Sequence, residues 1–432
     1  MSFETMTSLK GLAVWTLCAV MCASQPVDHL PVLKEAPDSV TFKVSDKPSP
    51  LILSCVVENA KNIKYIWKKD GDIFEWKSRS DIAQKPDEGT IIIQKPRDED
   101  AGQYQCFAES NFGVATTGVI KVEKLFIDTP KVIPLKHKPV KGKPFKLDCA
   151  VPNAYPEPEV QWVLQSANDP SNSKVIIEIE YHITQSPDGN LWFANVTEKD
   201  VHTDMKYVCQ ALTPAADGPV VLAEHYIEDL VENKEENTGE LVAQYLSKDM
   251  TVQVGKVTMI YCIYGGTPLA YPGWRKNGQT IKDEPQDRVT KYNGTGGKRL
   301  LIKDTWLVDE GNYTCFADNE VDKVKEHTVH LTVVSAPVFS KRPQMKITAK
   351  QGEEVTINCQ ILGVPAPEAT WTYNAKPLPR TDRISVKQSS VGNSTVADLT
   401  INNLEGNDAG YYGCKGYNGN GKVYAETLLY VS

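Results

Sequence analysis

The cysteines are the residues of this sequence whose chemistry is easiest to predict. Cys18 and Cys22 lie in a short apolar segment that follows Lys10 and leads into Ala23 and Ser24, a pattern typical of a secretory signal peptide over residues 1–24. The segment is about half the roughly 20 residues that a membrane-spanning helix needs. An exported chain with an even number of remaining cysteines is expected to form disulfides. The remaining cysteines are Cys55, Cys106, Cys149, Cys209, Cys262, Cys315, Cys359 and Cys414.

Two groups of basic residues are candidates for binding an anion. Residues 131–146 contain six lysines and no acidic residue, and clustered lysines raise the local concentration of phosphate. Lys68 and Lys69 precede Asp70-Gly71, and a similar string stands at residues 275–278. Lysines also protect exposed strand edges, and Lys-Asp-Gly is ordinary hairpin sequence, so a structural role stays open for both groups. The lysines of the run are Lys131, Lys136, Lys138, Lys141, Lys143 and Lys146.

The sequence lacks the patterns of catalytic and metal-binding sites. The seven histidines are scattered, and His327 and His330 would point to opposite faces of a strand, so we expect solvated histidines and no metal. We find neither a Gly-x-Ser-x-Gly elbow nor a phosphate-binding glycine loop. We therefore expect no catalytic residue, no enzyme activity and no cofactor. The formal net charge of −8 argues against a nucleic-acid-binding protein.

A repeat of about one hundred residues organises the chain. In chain order, a tryptophan follows the first, third, fifth and seventh of these cysteines by 12 or 13 positions. A tyrosine stands two positions before the second, fourth, sixth and eighth. Three repeats carry the string Asp-x-Gly-x-Tyr-x-Cys, whereas the second has Thr203 and Met205 in place of the Asp and Gly. Apolar residues alternate in segments such as 51–55 and 398–401, which predicts strands. The markers are Trp67, Trp162, Trp274, Trp371, Tyr104, Tyr207, Tyr313 and Tyr412.

These markers resemble the immunoglobulin superfamily over the whole chain after residue 24. The resemblance implies an all-β fold of four tandem immunoglobulin-like, I-set type β-sandwiches, in which each tryptophan packs on a bridge between the sheets. The implied domains cover residues 25–124, 125–227, 240–334 and 335–432. Eight cysteines alone permit about 105 pairings. The resemblance selects Cys55–Cys106, Cys149–Cys209, Cys262–Cys315 and Cys359–Cys414.

One string is more specific than the repeat itself. Residues 188–196, DGNLWFANV, are similar to the second immunoglobulin domain of the neuroglian-type neural cell adhesion proteins. With four such domains, and with no fibronectin-like module or membrane anchor expected, the chain resembles the hemolin family of soluble insect immune proteins. This resemblance implies a secreted haemolymph protein that binds bacterial lipopolysaccharide and lipoteichoic acid and associates with haemocytes. The alternative is a soluble modulator of homophilic cell adhesion.

The spacing between repeats predicts a bent molecule. The connection from Cys209 to Cys262 takes 53 residues, whereas the other two take 43 and 44. The surplus falls in residues 228–239, an acidic segment without strand alternation, which we predict to be a linker. Ten flexible residues reach about 18 Å, close to the roughly 20 to 25 Å between the ends of adjacent sandwiches. We predict a horseshoe with domains 1 and 2 against domains 4 and 3, which the family resemblance also implies; an extended rod is the alternative.

Four sequons predict sites for N-linked sugar in an exported chain. Asn312 alternates with core-facing positions of a predicted strand, so its side chain is expected to face water. Two others stand in turn-like sequence. The sequon asparagines are Asn195, Asn293, Asn312 and Asn393.

Overall fold

The structure is a computed structural model that describes residues 31–58, 62–175, 181–234, 239–282, 286–292 and 296–432. The predicted signal peptide and the Asn293 sequon lie outside these residues. The secondary structure elements of the described residues are β-strands and short 3₁₀ turns. The 3₁₀ turns are Trp76–Ser78, Asp98–Asp100, Glu198–Asp200, Leu307–Asp309 and Gly406–Asp408.

Domain 1 is a β-sandwich. Its strands are β1 (Val32–Leu33), β2 (Ser39–Lys43), β3 (Leu51–Leu53), β4 (Val57–Glu58), β5 (Lys64–Lys69), β6 (Asp72–Ile73), β7 (Ile82–Gln84), β8 (Ile91–Ile93), β9 (Gly102–Ser110), β10 (Gly113–Thr116) and β11 (Ile120–Ile127). One layer contains the order β3-β8-β7, and the other contains β11-β9-β5-β6. Strand β10 extends the second layer beside β9, and β2 pairs in parallel with β11.

Domain 2 repeats this plan, and the strands of one layer are shorter than the long strands of the other. Its strands are β12 (Leu135–His137), β13 (Phe145–Leu147), β14 (Ala154–Tyr155), β15 (Glu159–Ser166), β16 (Ser173–Val175), β17 (Ile183–Gln185), β18 (Leu191–Phe193), β19 (Met205–Leu212) and β20 (Val220–Ile227). The two layers have the orders β12-β20-β19-β15-β16 and β13-β18-β17.

Domain 3 follows after the linker region. Its strands are β21 (Val242–Leu246), β22 (Met250–Gln253), β23 (Thr258–Gly265), β24 (Gly273–Lys276), β25 (Gln279–Thr280), β26 (Val289–Lys291), β27 (Arg299–Ile302), β28 (Gly311–Ala317) and β29 (Lys325–Lys341). The layers are β21-β23-β27-β26 and β25-β24-β28-β29, and β22 pairs in parallel with β29.

Domain 4 completes the described chain. Its further strands are β30 (Lys346–Ala349), β31 (Val355–Ile357), β32 (Gln360–Val364), β33 (Glu368–Tyr373), β34 (Lys376–Pro377), β35 (Ile384–Val391), β36 (Ser394–Ile401), β37 (Gly410–Tyr417) and β38 (Lys422–Val431). One layer has the order β30-β38-β37-β33-β34, and the other is built on β36 with β31, β32 and β35. This architecture confirms the predicted all-β fold of tandem sandwiches.

Each sandwich is built around a disulfide, a tryptophan and a tyrosine. The indole of Trp67 donates to the Gly89 carbonyl at 2.7 Å, and the hydroxyl of Tyr104 donates to the Asp100 carbonyl at 3.0 Å; the other domains repeat both bonds. Because buried polar groups need partners, these bonds allow the large rings to enter the core. The bridges of the structure are Cys55–Cys106, Cys149–Cys209, Cys262–Cys315 and Cys359–Cys414.

In domain 2 the buried tyrosine bonds to an aspartate that stands at a different spacing from those of the other three domains. Tyr207 donates to the carbonyl of Asp200, seven positions upstream, whereas the tyrosines of the other domains reach back four. Asp200 also accepts from Thr197 N at 2.7 Å and lies 2.9 Å from His182 Nε2. In the other domains an arginine takes the place of His182, in the pairs Arg79–Asp100, Arg288–Asp309 and Arg383–Asp408.

Two strands cross domain boundaries without a break. Strand β11 leaves domain 1 and pairs at its end with β14 of domain 2. Strand β29 pairs with β28 in domain 3 and with β32 in domain 4. A continuous strand thus joins domain 1 to domain 2, and another joins domain 3 to domain 4. The connection between β20 and β21 is left as the place where the chain reverses.

Part of the predicted linker is attached to domain 2. Val231 N donates to the Pro139 carbonyl at 2.9 Å, and Lys141 N donates to the Val231 carbonyl at 2.9 Å. Leu230 packs against the core of domain 2, and Leu241 is buried in domain 3. Residues 235–238 of the segment lie outside the described part. The chain then doubles back, so that domain 3 lies against domain 2 and domain 4 against domain 1, which confirms the predicted horseshoe.

Candidate functional site

The interface between domains 1 and 4 is formed by strand β10 and the two last strands of the chain. Side chains of β38 alternate, so that Leu429 enters the domain 4 core while Tyr424, Glu426 and Leu428 face domain 1. Consecutive buried leucines at positions 428 and 429 are the sequence signal for a strand that is covered on both faces. The site residues predicted from the sequence did not include Glu426 or Leu428.

Glu426 is the centre of the hydrogen bonding across this interface. Its carboxylate accepts from Thr116 N at 2.9 Å and from Thr116 Oγ1 at 2.9 Å. Tyr424 OH lies 2.9 Å from Thr116 Oγ1 and donates to the same carboxylate. Asn374 Oδ1 accepts from Val114 N at 3.1 Å. Backbone groups at the edge of domain 1 are thus satisfied by side chains of domain 4.

Burial between the two domains changes the protonation of these groups. Loss of solvent raises the pKa of Glu426 to about 7, although the bonds from Tyr424 and Thr116 oppose this shift. The pKa of Tyr424 is raised well above its ordinary value, first by burial and then by the nearby Glu426. The interface therefore holds a carboxyl group that titrates near neutral pH.

Apolar packing and an open cleft flank the hydrogen bonds. Ala108 and Ala115 of domain 1 form a buried cluster with Tyr411 and Leu428 of domain 4. Beside it lies a cleft of about 270 Å³, lined by both domains and by Glu426. At its mouth Arg342 pairs with Glu35 at 3.3 Å. The interface combines apolar and polar contacts, as interfaces that open and close commonly do.

A second interface joins domains 2 and 3. Gly266 N donates to the Ala194 carbonyl at 2.8 Å, and Gln244 Nε2 donates to the Phe193 carbonyl at 2.8 Å. Thr267 Oγ1 donates to the Gly142 carbonyl at 2.8 Å. Direct bonds to backbone carbonyls require close approach, so this contact is tight along residues 193–195.

The predicted anion-binding lysines of domain 2 do not form one cationic cluster. Lys136 lies beside a carboxylate of the segment after β20, Lys141 beside one of the 3₁₀ turn Glu198–Asp200, and Lys146 beside Asp148. Lys143 is half-buried, whereas Lys131 and Lys138 are exposed. The ion pairs are Lys136–Glu228 at 2.6 Å, Lys141–Glu198 at 2.7 Å and Lys146–Asp148.

Exposed apolar residues accompany the lysines of this segment. Ile133 is 66% exposed and Leu135 is 49% exposed. Val140 and Val231, which are also exposed, pair with each other across the domain edge. We call Lys131, Ile133, Leu135, Lys138, Val140 and Val231 the domain 2 strip. It places aliphatic side chains beside ammonium groups on one segment of the surface.

Lys68 and Lys69 cover aromatic rings of the neighbouring strand. Lys68 Nζ lies 5.0 Å from the ring centroid of Phe107, and Lys69 Nζ lies 5.9 Å from that of Tyr104. Lys69 also donates to the Glu99 carbonyl. Arg275 and Lys276 do the same in domain 3, over Phe316 and Tyr313. Because domains 1 and 3 repeat these cation–π contacts, we assign a structural role to Lys68-Lys69 and to Arg275-Lys276.

The expectation of solvated histidines is wrong for His182 and His225, which are 7% and 1% exposed. His225 Nδ1 lies 2.9 Å from His137 Nε2, and its other nitrogen lies 2.8 Å from the Asp148 carbonyl. Burial lowers the pKa of His137 and of His225. Within the described residues no group of three or more potential ligands could hold a metal ion.

The described sequons lie in different surroundings. Asn312 and Asn393 are exposed. Asn195 lies in the interface between domains 2 and 3, where its Nδ2 donates to Thr267 Oγ1 at 3.1 Å. In the described part of the chain, no helix is long and apolar enough to cross a membrane.

Comparison with family models places the chain in a class. The immunoglobulin I-set domain model matches residues 242–333 and 337–431, and an immunoglobulin domain model matches residues 31–110. Together with the four bridged sandwiches, these matches define a protein of the immunoglobulin superfamily.

Comparison with individual proteins defines the family. The chain is 43% identical to hemolin of Manduca sexta, covering 98% of this chain and 99% of that one, and 42% identical to hemolin of Hyalophora cecropia, covering 98% and 100%. Neuroglian of Drosophila melanogaster is 35% identical, but the match covers only 32% of it. The chain belongs to the hemolin family, and it is a non-enzymatic immune and adhesion protein of the immunoglobulin superfamily.

A solved structure agrees with this assignment. The crystal structure of the insect immune protein hemolin matches with a TM-score of 0.84 at 42% identity, covering 93% of this chain and 100% of that one. That structure was described as a new domain arrangement with implications for homophilic adhesion. The fourfold immunoglobulin arrangement is therefore shared along the whole matched length.

Proposed function

We propose that this protein is secreted into haemolymph and acts there in immune recognition and adhesion. Its adhesive partners are other copies of itself and related immunoglobulin chains on the haemocyte surface, which it contacts through the faces that meet between domains 1 and 4. Its microbial partners are bacterial lipopolysaccharide and lipoteichoic acid. The hemolin family membership and the implications for homophilic adhesion described for a related structure support this proposal.

The observation that carries the adhesive function is the composition of the interface between domains 1 and 4. Glu426 accepts from Thr116 and Asn374 accepts from Val114 N across it, and a small apolar cluster accompanies these bonds. A second chain that presented its domain 4 to an opened domain 1 would make the same bonds. Exchange of identical elements between copies is a common route to association, because no new surface has to be invented.

Aggregation of protein-coated beads tests the adhesive function. Leu428→Glu places a carboxylate in the cluster beside Glu426 without touching the Leu429 side chain in the domain 4 core. We expect this variant to lose bead aggregation. Val386→Glu, on an exposed face of the same domain, is the matched control and should aggregate as the wild type does. Equal aggregation by both variants would exclude this interface as the adhesive surface.

The domain 2 strip favours the binding of bacterial lipids. Lipopolysaccharide and lipoteichoic acid combine phosphate groups with acyl chains, and the strip combines exposed lysines with exposed aliphatic side chains. Phosphate would lie against Lys131 and Lys138, and acyl chains against Ile133 and Leu135. Charge-dependent binding of this kind weakens as salt rises.

Binding to immobilised lipopolysaccharide, intact and dephosphorylated, tests the strip. We expect Lys131→Gln/Lys138→Gln to bind both forms equally and weakly, whereas Ile133→Ser/Leu135→Ser should retain the preference for the phosphorylated form at lower affinity. Lys387→Gln, an exposed lysine of domain 4, serves as the control. Unchanged binding by both double variants would remove the strip from the proposed function.

A further inference from the structure

Asn195 is a half-buried sequon asparagine whose side chain lies between two domains. It follows β18 in domain 2, and its Nδ2 donates to Thr267 Oγ1 of domain 3 at 3.1 Å. Its Oδ1 is buried and has no hydrogen-bond partner among the described residues. The two ends of the amide are thus both covered when domain 3 lies against domain 2.

The backbone of domain 3 lies directly against the residue that precedes Asn195. Gly266 N donates to the carbonyl of the preceding residue, Ala194, at 2.8 Å. A β-carbon on Gly265 would lie 2.8 Å from that carbonyl and 2.8 Å from Pro144. One methyl group is already too large at Gly265, so domains 2 and 3 are in direct contact beside Asn195.

The chemistry of N-glycosylation determines where the sugar must go. The Nδ2 nitrogen forms a bond to C1 of an oligosaccharide, the bond from C1 to a lipid diphosphate breaks, the diphosphate leaves with the bonding electrons, and Nδ2 loses one proton. The product is a secondary amide and prefers the trans form, as a peptide bond does. In that form C1 lies on the same side of the amide as Oδ1, an atom that is buried in the closed structure.

We infer that an N-linked oligosaccharide on Asn195 and closure of domain 3 on domain 2 exclude each other, so that occupancy of this sequon sets the fraction of open molecules. The order of synthesis permits the modification, because Asn195 enters the secretory pathway before Thr267 and the rest of domain 3. Asn312 and Asn393 are exposed in the closed form, and their occupancy has no such effect.

The consequence for adhesion depends on the proposed function. If open molecules exchange domains, sugar on Asn195 increases the population that associates with other copies. The exclusion itself depends only on the interface between domains 2 and 3 and on passage through the secretory pathway. The two ideas can therefore fail separately.

Secretion of the full chain from insect cells provides the test. Compact monomers are separated from open and associated forms by size exclusion, and each sequon is scored by mass spectrometry after enzymatic removal of sugar. We expect the Asn195 glycopeptide to be absent from the compact fraction and present in the open fraction, while Asn312 and Asn393 are equally occupied in both. A compact fraction that carries sugar on Asn195, with an unchanged radius of gyration in X-ray scattering, would overturn the inference.

Two variants complete the experiment. Thr197→Ala removes the sequon, and with it the Thr197 Oγ1 bond to Asp200, but leaves the bond from Asn195 to Thr267, so the secreted protein should lack the sugar-dependent open fraction. Thr197→Ser keeps both the sequon and a hydroxyl for Asp200 and should behave as the wild type does. Absence of sugar from Asn195 in every fraction, including a Gly265→Val variant whose interface cannot close, would also overturn the inference. If the fractions separate as expected but open molecules do not aggregate beads, the adhesive function fails and the exclusion stands.

Discussion

Glu426 loses water when domain 1 closes on domain 4, and this makes closure dependent on pH. In the closed form its pKa is about 7, against an ordinary value of 4.5 that exposure would restore. A raised pKa means that the closed form binds the proton more tightly, so its stability is greatest below the ordinary value and falls as pH rises through 7. The shift corresponds to roughly 3 kcal/mol. Lys34, Asp38 and the Glu35–Arg342 pair line the same cleft and add their charges to its field.

We predict that the molecule opens more readily at about pH 8 than at about pH 5.5, values that lie on either side of the closed-state pKa. Small-angle scattering across this range should show the radius of gyration increasing with pH. Glu426→Gln stays neutral throughout, so this variant should remain compact and lose the pH dependence. An unchanged pH dependence in the variant would assign the effect to another group.

Single residues were predictable where the repeat marks them and unpredictable where the partner is remote. The cysteines, tryptophans and tyrosines recur at fixed spacing, and the structure uses them as the resemblance implied. Glu426 bonds to Thr116, which lies in another domain 310 positions away. The sequence around Glu426 shows only an acidic residue in a strand, because its burial is a property of the whole chain.

At the scale of the element, the turn before β19 shows how one repeat departs from the others. Asp200 takes the role of Asp100, Asp309 and Asp408, although three additional residues separate it from its tyrosine. The 3₁₀ turn Glu198–Asp200 absorbs the change by keeping the bond from Thr197 N to Asp200. Asp200 was not predictable from the motif, because domain 2 does not keep the motif's fixed spacing between aspartate and tyrosine.

We predict that Asp200→Ala destabilises domain 2 by about 2 to 4 kcal/mol, because three donors lose a buried acceptor. The donors are Thr197 N, Thr197 Oγ1 and His182 Nε2. Hydrogen–deuterium exchange of peptides from β17, β18 and β19 should report the loss as faster exchange in this domain alone. Asp204→Ala, which changes an exposed side chain nearby, is the control; similar exchange in the two variants would contradict the assigned role.

The lysine run shows the limit of reading charge from a linear segment. No acidic residue lies within residues 131–146, yet Glu198 and Glu228 approach from other elements and pair with two of its lysines. The surface that remains is the domain 2 strip, whose apolar members were not visible as a group in the sequence. Their exposure depends on which strand edges the fold leaves uncovered.

At the scale of the molecule, the length of the connection between domains 2 and 3 allowed a chain that doubles back, and the family resemblance implied the same shape. The contacts that hold it closed were not predictable, because each joins residues whose proximity follows from the fold. Gln244 bonding to the Phe193 carbonyl and Asn374 bonding to Val114 N are examples.

We predict that deletion of residues 235–238 converts the protein into a domain-exchanged dimer. The shortened connection cannot reverse, so domains 3 and 4 of one chain must lie against domains 2 and 1 of another. Light scattering during size exclusion should give twice the monomer mass. Replacement of the same four residues by glycine and serine keeps the length and should leave a monomer; a compact monomer after the deletion would show that reversal does not need these residues.

The continuous strands β11 and β29 make each half of the molecule a stiff arm, and the connection between β20 and β21 acts as the pivot between the two arms. For a rotation about that connection, the displacement of a residue increases with its distance from the connection. The contacts at the far tips, around Glu426, separate further than those between domains 2 and 3 for the same rotation. A rotation too small to break the contacts between domains 2 and 3 can therefore separate the contacts around Glu426.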